Sequence, residues 1–107
     1  REGNRILVSG TTATHSDGTD VCRGDAAGQA TYILDKIAAS ISALGGSLDD
    51  VVRTRIYVAR EEDWEEVSRV HGCYFGDVRP ANTLVVIAGL IGGYLVEIEA
   101  EAVVLDE

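Results

Sequence analysis

Long apolar runs are missing from this chain. No segment reaches the roughly 18 uncharged apolar residues of a membrane span, and the start, Arg1-Glu2-Gly3-Asn4, lacks the apolar run of a signal peptide. These absences predict a protein with no membrane partner, at work in the cytoplasm. Basic residues are scarce as well: nine Lys and Arg against 18 Asp and Glu leave a net charge of -9. A phosphate backbone is repelled by such a surface, so nucleic acid is not an expected partner. Cysteine is limited to Cys22 and Cys73. One disulfide at most is too little for a small secreted scaffold held by cross-links, so reduced thiols are expected, packed as small hydrophobes in or near the core. Proline occurs once, at Pro80, in a loop-like stretch from Gly76 to Ala81, and no repeat, linker or low-complexity tract breaks the chain.

What remains is an ordinary globular composition, 46% hydrophobic and 25% charged. That supplies enough apolar side chains to offset ordering entropy. The 107 residues leave room for one domain, residues 1–107, and not for a second core.

Periodicity gives the elements. Arg5 to Ser9 alternates as a strand that Gly10 stops, and the polar stretch Thr11 to Thr19 reads as a loop. Ala26, Ala30, Ile33, Leu34, Ile37, Ile41 and Leu44 recur in steps of three and four, one face of a helix. Asp25 is placed to cap its start and Gly45-Gly46 to end it in a left-handed turn. Val51 to Val58 alternates again, with Val52, Thr54, Ile56 and Val58 on one face and Arg53, Arg55 and Tyr57 on the other. Glu61, Glu62 and Asp63 put negative charge on the first turn of a second helix, whose apolar face is Trp64, Val67, His71, Tyr74 and Phe75, closed by Gly76. Thr83 to Ala88 is apolar on both faces. Gly89 to Gly93 turn it into Leu95 to Val104, a strand with Val96, Ile98, Ala100 and Ala102 on one side and Glu97, Glu99 and Glu101 on the other, so that the two strands make a carboxyl-terminal hairpin. The order β, α, β, α, β, β fits a two-layer α+β sandwich with both helices on one face of a sheet. Two helices cannot cover both sides of the doubly apolar strand, so the pattern predicts an oligomer that does.

The run Arg79-Pro80-Ala81-Asn82-Thr83-Leu84-Val85-Val86, followed by Leu95-Val96-Glu97-Ile98-Glu99-Ala100-Glu101-Ala102-Val103, resembles the carboxyl-terminal signature of the Rid (reactive intermediate deaminase, YjgF-like) family. Asn4 to Gly10, Gly24-Asp25 with Gln29, Leu44 to Val52 and Tyr57-Val58 are similar to that family too. The resemblance implies a chorismate-mutase-like fold, a mixed sheet with two helices on one face, and a homotrimer around a central barrel. It also implies clefts between subunits that take a small-molecule ligand, and imine or enamine hydrolysis without metal or organic cofactor. On that resemblance Glu97 orients the attacking water, and Ser9 and Gly10 line the cleft. Read from pattern alone, Glu97, Glu99 and Glu101 are equally the solvated side of an amphipathic strand or partners of Arg53 and Arg55. Members of the family usually begin with a further strand that brings a tyrosine to the site, whereas this sequence starts at Arg1, just before the strand Arg5 to Ser9.

The departure from the family pattern is Asn82, where typical members have the arginine that grips a substrate carboxylate. Losing a charged two-pronged contact costs on the order of 2 to 4 kcal/mol, roughly thirtyfold to a thousandfold in affinity. A neutral or amide-bearing ligand is therefore expected rather than a standard 2-imino acid. Arg79, three residues upstream, is the substitute cation for the cleft, although an extended segment spreads three residues over about 10 Å. A non-catalytic trimer that binds a small metabolite is the alternative to a hydrolase, because both need the same cleft.

Other chemistries lack their residues. His15, Cys22, His71 and Cys73 do not show the paired short spacings of a structural zinc site. No nucleophile elbow or phosphate-binding glycine loop occurs. Endoribonuclease activity, a name sometimes attached to the family, fits poorly with the acidic charge.

Overall fold

The computed structural model describes residues 1–105. In it the chain forms β1 (Arg5–Thr11), α1 (Ala26–Ala43), β2 (Val51–Val58), α2 (Trp64–Phe75), β3 (Ala81–Val86) and β4 (Val96–Val103), with short 3-10 turns at Leu48–Asp50 and Glu61–Asp63. The four strands make one mixed sheet in the order β1-β4-β2-β3. β4 runs antiparallel to both β1 and β2, while β3 lies parallel to β2 at the sheet edge. Both helices cover the same face, and the core between the layers is aliphatic: Ile33, Leu34, Ile37 and Ile41 of α1 meet Ile6, Ile56, Val58, Val96 and Ile98 of the sheet, all fully or almost fully buried. Asp25 caps α1 by accepting from the Gly28 N–H at 3.0 Å, and Gly45, at φ +89°, ends it. Among the described residues no helix is long and apolar enough to cross a membrane.

Several expectations change. β1 does not stop at Gly10 but continues to Thr11 through a bulge, in which Ser9 and Gly10 together oppose Glu99. A second irregularity, between Val51 and Arg53, turns Val51 into the core and leaves Val52 46% exposed, so the alternation of β2 starts one residue off the simple period. Leu44 and Trp64 lie outside the core, at 41% and 46% exposure. β3 and β4 are not a hairpin. β2 lies between them, so the segment that includes Gly92 and Gly93, both at positive φ, carries the chain across one end of β2. Cys22 and Cys73 are both exposed free thiols rather than core residues. Cys22 falls in the loop before α1 with φ 53°, and Cys73 occupies a surface position on α2.

One apolar strand is left uncovered, as its two-sided composition predicted. Val85 and Val86 on β3 are 39% and 49% exposed, and on the face away from the helices Leu7 is 60% exposed. Leu7 stands on the β1 edge of the sheet and Val85 and Val86 on the β3 edge.

Candidate functional site

The face of the sheet turned away from the helices carries the charged rows of β2 and β4. Tyr57 stands opposite Glu97, Arg55 opposite Glu99 and Arg53 opposite Glu101. Pairing sorts the three glutamates. Glu99 accepts from the Tyr57 hydroxyl at 2.7 Å and from Arg55 Nη1 at 3.3 Å, and Glu101 pairs with Arg5 at 3.3 Å rather than with Arg53. The Glu99 carboxylate accepts the Tyr57 proton bond only while that proton stays on, which raises the phenol above its ordinary value. Glu97 has no hydrogen bond or ion pair among the described residues.

What Glu97 touches instead is bare backbone. A Cβ on Gly10 would lie 2.6 Å from Glu97 Oε2 and 2.9 Å from its Cδ, so the carboxylate rests on Gly10 in space that no other residue leaves open. The bulge that brings Gly10 there is pinned locally, the Thr11 hydroxyl donating to the Ser9 carbonyl at 2.9 Å. Beyond it, Lys36 Nζ on α1 donates to the carbonyls of Thr12 and Thr14 at 3.1 and 3.0 Å and ties the following loop down. From the other side, buried Gln29 accepts from the Leu95 N–H at 2.9 Å and donates to the Cys22 carbonyl at 3.2 Å, which fixes the entry of β4 two residues before Glu97. The family resemblance puts Glu97, Ser9 and Gly10 at one cleft, and the structure brings Glu97 and Gly10 into contact. Ser9 is exposed beside them and also lines an open concavity of about 340 Å³ with Leu7, Arg53, Arg55, Glu99 and Glu101.

Asn82 is elsewhere. In the parallel register it pairs with Thr54, whose side chain is fully buried on the helix side of the sheet, whereas Glu97 shares the row of Tyr57 on the opposite side. Asn82 Nδ2 donates to Thr54 Oγ1 at 2.9 Å, and that hydroxyl meets His71 Nε2 on α2 at 2.8 Å. Burial lowers the His71 pKa, which keeps the ring neutral. Asn82 and Glu97 of one chain therefore do not share a pocket. Arg79 is exposed in the turn before β3, its backbone at φ 52° and its N–H donating to the Phe75 carbonyl at 2.9 Å. In the sequence Thr54 stands on an inward strand face and His71 on a helix's apolar face and in a histidine-cysteine set without zinc spacing; neither pattern links the two. Their signal was polarity at positions the period sends into the core.

The family model described as Endoribonuclease L-PSP matches residues 1–104. The chain belongs to this YjgF/RutC/Rid family. "RutC family protein PH0854" of Pyrococcus horikoshii is 30% identical over 102 residues, 95% of this chain and 81% of that one. A protein named "3-aminoacrylate deaminase RutC" in Acinetobacter baylyi is 33% identical over 99 residues, 92% and 79% of the two chains. The crystal structure of Rv2704 from Mycobacterium tuberculosis, a member of the YjgF/YER057c/UK114 family, superposes with a TM-score of 0.85 at 40% identity, covering 97% of this chain and 82% of that one. The α+β sheet with its two helices is thus the Rid fold. Within this one chain Asn82, on the β3 edge, and Glu97, beside the bulge, face opposite sides of the sheet.

Proposed function

We propose that this Rid-family chain hydrolyses a small imine or enamine in clefts formed between copies of itself, with Glu97 holding the water. The observation that carries the reading is the lone Glu97 carboxylate lying against bare Gly10, beside two neighbouring glutamates that are already paired. An imine carbon is electrophilic without help, so catalysis needs a positioned water, a proton acceptor and a hold on the substrate. In the proposed step the carboxylate of Glu97 accepts a proton as the water oxygen bonds to the imine carbon. It returns that proton to the nitrogen of the resulting carbinolamine, then takes the hydroxyl proton as the C=O bond forms and the C–N bond breaks, so that both water protons leave the water oxygen and a carbonyl compound and ammonia depart. An enamine enters the same route after its carbon is protonated to the imine.

Asn82 sits across the sheet from Glu97 in one chain, so the ligand contact at position 82 comes from the edge strand of a neighbouring copy. The exposed apolar residues Leu7, Val52, Val85 and Val86 are what such a neighbour would cover. A homotrimer is the assembly we assign, and sedimentation should give a mass about three times 11.4 kDa. With asparagine in place of arginine the substrate is not a standard 2-imino acid. Ser9 lines the cleft, and Arg79, exposed beside the β3 edge, is a second contact.

Ammonia release from a panel of imines and enamines, 3-aminoacrylate included, tests this. Glu97→Gln should keep the fold and mass of the wild type and lose at least about a hundredfold in turnover, the usual contribution of a positioned acid-base group. The competing reading, a trimer that binds a small metabolite without turning it over, is favoured by the neutral anchor at Asn82. Binding of panel compounds with no ammonia released by the wild type would establish it over the hydrolase.

A further inference from the structure

The hydrogen-bond chain through the sheet has a direction, and the direction sets what Asn82 offers a ligand. Thr54 has one hydroxyl proton. It accepts from Asn82 Nδ2 at 2.9 Å, and its only other side-chain partner among the described residues is His71 Nε2 at 2.8 Å; a buried hydroxyl satisfies its own proton there by donating it, which requires a lone pair on that nitrogen. The ring is then the neutral tautomer with its proton on Nδ1. With Nδ2 turned inward to Thr54, the atom of the exposed Asn82 amide left unbonded among the described residues is its carbonyl oxygen. Thr54 is fully buried, so water does not replace either partner.

We infer that Thr54 and His71 are positioning residues that hold the Asn82 amide with its carbonyl oxygen outward, so that the ligand meets this point with an N–H donor of carboxamide type and not with a carboxylate. The inference rests on the proposed reading that position 82 touches the ligand, and it narrows that reading to a class of substrate. The outward carbonyl oxygen accepts an amide N–H and repels a carboxylate oxygen, and Nδ2, with one of its two protons given to Thr54, keeps a single N–H, so a carboxamide gains a partner here that a carboxylate lacks, whereas an amide free to turn would serve both.

Two stable carbonyl compounds that differ only at this group, pyruvamide and pyruvate, make the test. Titration calorimetry on the wild type should show pyruvamide binding about tenfold tighter, the worth of one well-placed hydrogen bond. Thr54→Val, which keeps the buried shape, and the double variant Thr54→Val/His71→Phe, which leaves no fully buried polar group unpaired if the single variant unfolds and frees the exposed Asn82 amide to turn, should bring the two affinities within about threefold. Thr54→Ser, which keeps the hydroxyl, should restore the preference. Nitrogen-15 spectra of the unaltered protein should show the His71 proton on Nδ1. A proton on Nε2, a wild type that prefers pyruvate or binds neither probe, or a preference unmoved in the Thr54 variants overturns the inference. Asn82→Ala separates the two levels. If it changes neither affinity, position 82 does not touch the ligand and the proposed cleft is wrong there. If it weakens pyruvamide while Thr54→Val does nothing, only the relay is wrong.

Discussion

Gly10→Ala is the sharpest perturbation of the proposed catalytic group, because it adds one methyl group to the spot the Glu97 carboxylate occupies. The new Cβ would stand 2.6 Å from Oε2 where ordinary contact is 3.4 Å or more, so the carboxylate must retreat by roughly 0.8 Å. It is the far end of a flexible side chain, and Gly10 does not have a positive φ, so the backbone has no cause to move. Stability should therefore hold, or rise by about 0.5 kcal/mol as the unfolded chain loses the freedom of a glycine. Turnover should not hold. A displacement near 1 Å of a positioned group costs on the order of a hundredfold, about 2.7 kcal/mol in the barrier. The assay is ammonia release on the best substrate of the panel, read beside a urea unfolding curve on the same preparation. A Gly10→Ala protein with wild-type turnover would mean that Glu97 does no work where it rests on Gly10, and the role given to the bulge would go with it. A protein that loses both stability and turnover would refute the claim that the carboxylate alone yields.

Two further perturbations test the scaffold that presents the site. Asp63, whose side chain is only 6% exposed, takes a bidentate contact from Arg60 at 2.8 and 3.1 Å at the start of α2. Arg60 is itself well exposed, so Asp63→Ala should cost a modest amount, about 1 to 2 kcal/mol, read as a lower urea midpoint with unchanged slope. His71 carries a pH signature. Its folded pKa lies below the ordinary 6.5, so the unfolded chain binds the extra proton first. Its contribution to stability is complete above about pH 6.5 and is lost as pH falls from there to the depressed folded value, by at most about 1.4 kcal/mol per pH unit. His71→Phe should remove that slope, and a variant whose stability falls with acid as steeply as the wild type would contradict the assignment.

Much of the fold is legible in the sequence because two periods dominate it. The steps of three and four from Ala26 to Ile41 and the alternation from Val96 to Ala102 are the faces that the structure buries. Bulges are not legible by period. The one at Ser9-Gly10 extends β1 past a glycine read as a stop, and the one at Val51 reverses which valine goes inside. Strand order also escapes a single sequence: neighbours along the chain were read as a hairpin, whereas β2 inserts between β3 and β4. Glu97, Gly10 and Ser9 are singled out by the resemblance, and geometry adds what distinguishes Glu97 from Glu99: Glu97 has no hydrogen-bond or ion-pair partner among the described residues. That Asn82 faces Thr54 and not Glu97 follows from the parallel register of β2 and β3, a long-range fact with no local trace. The cysteines misled because burial is a tendency of the residue type, and their positions, one in a loop and one on the outer side of α2, decide otherwise.

The claim at the centre is that each working site joins Glu97 of one copy to Asn82 of the next, and subunit complementation measures it. Assayed well below saturation, Glu97→Gln should be nearly inactive alone and Asn82→Ala about tenfold down. Unfolded together in equal amounts and refolded at random, about a quarter of all clefts should pair an intact Glu97 with an intact Asn82, returning about a quarter of wild-type ammonia release. Mixed assemblies, verified by mass, that stay as inactive as their parents would place both residues' work within one chain and contradict the account.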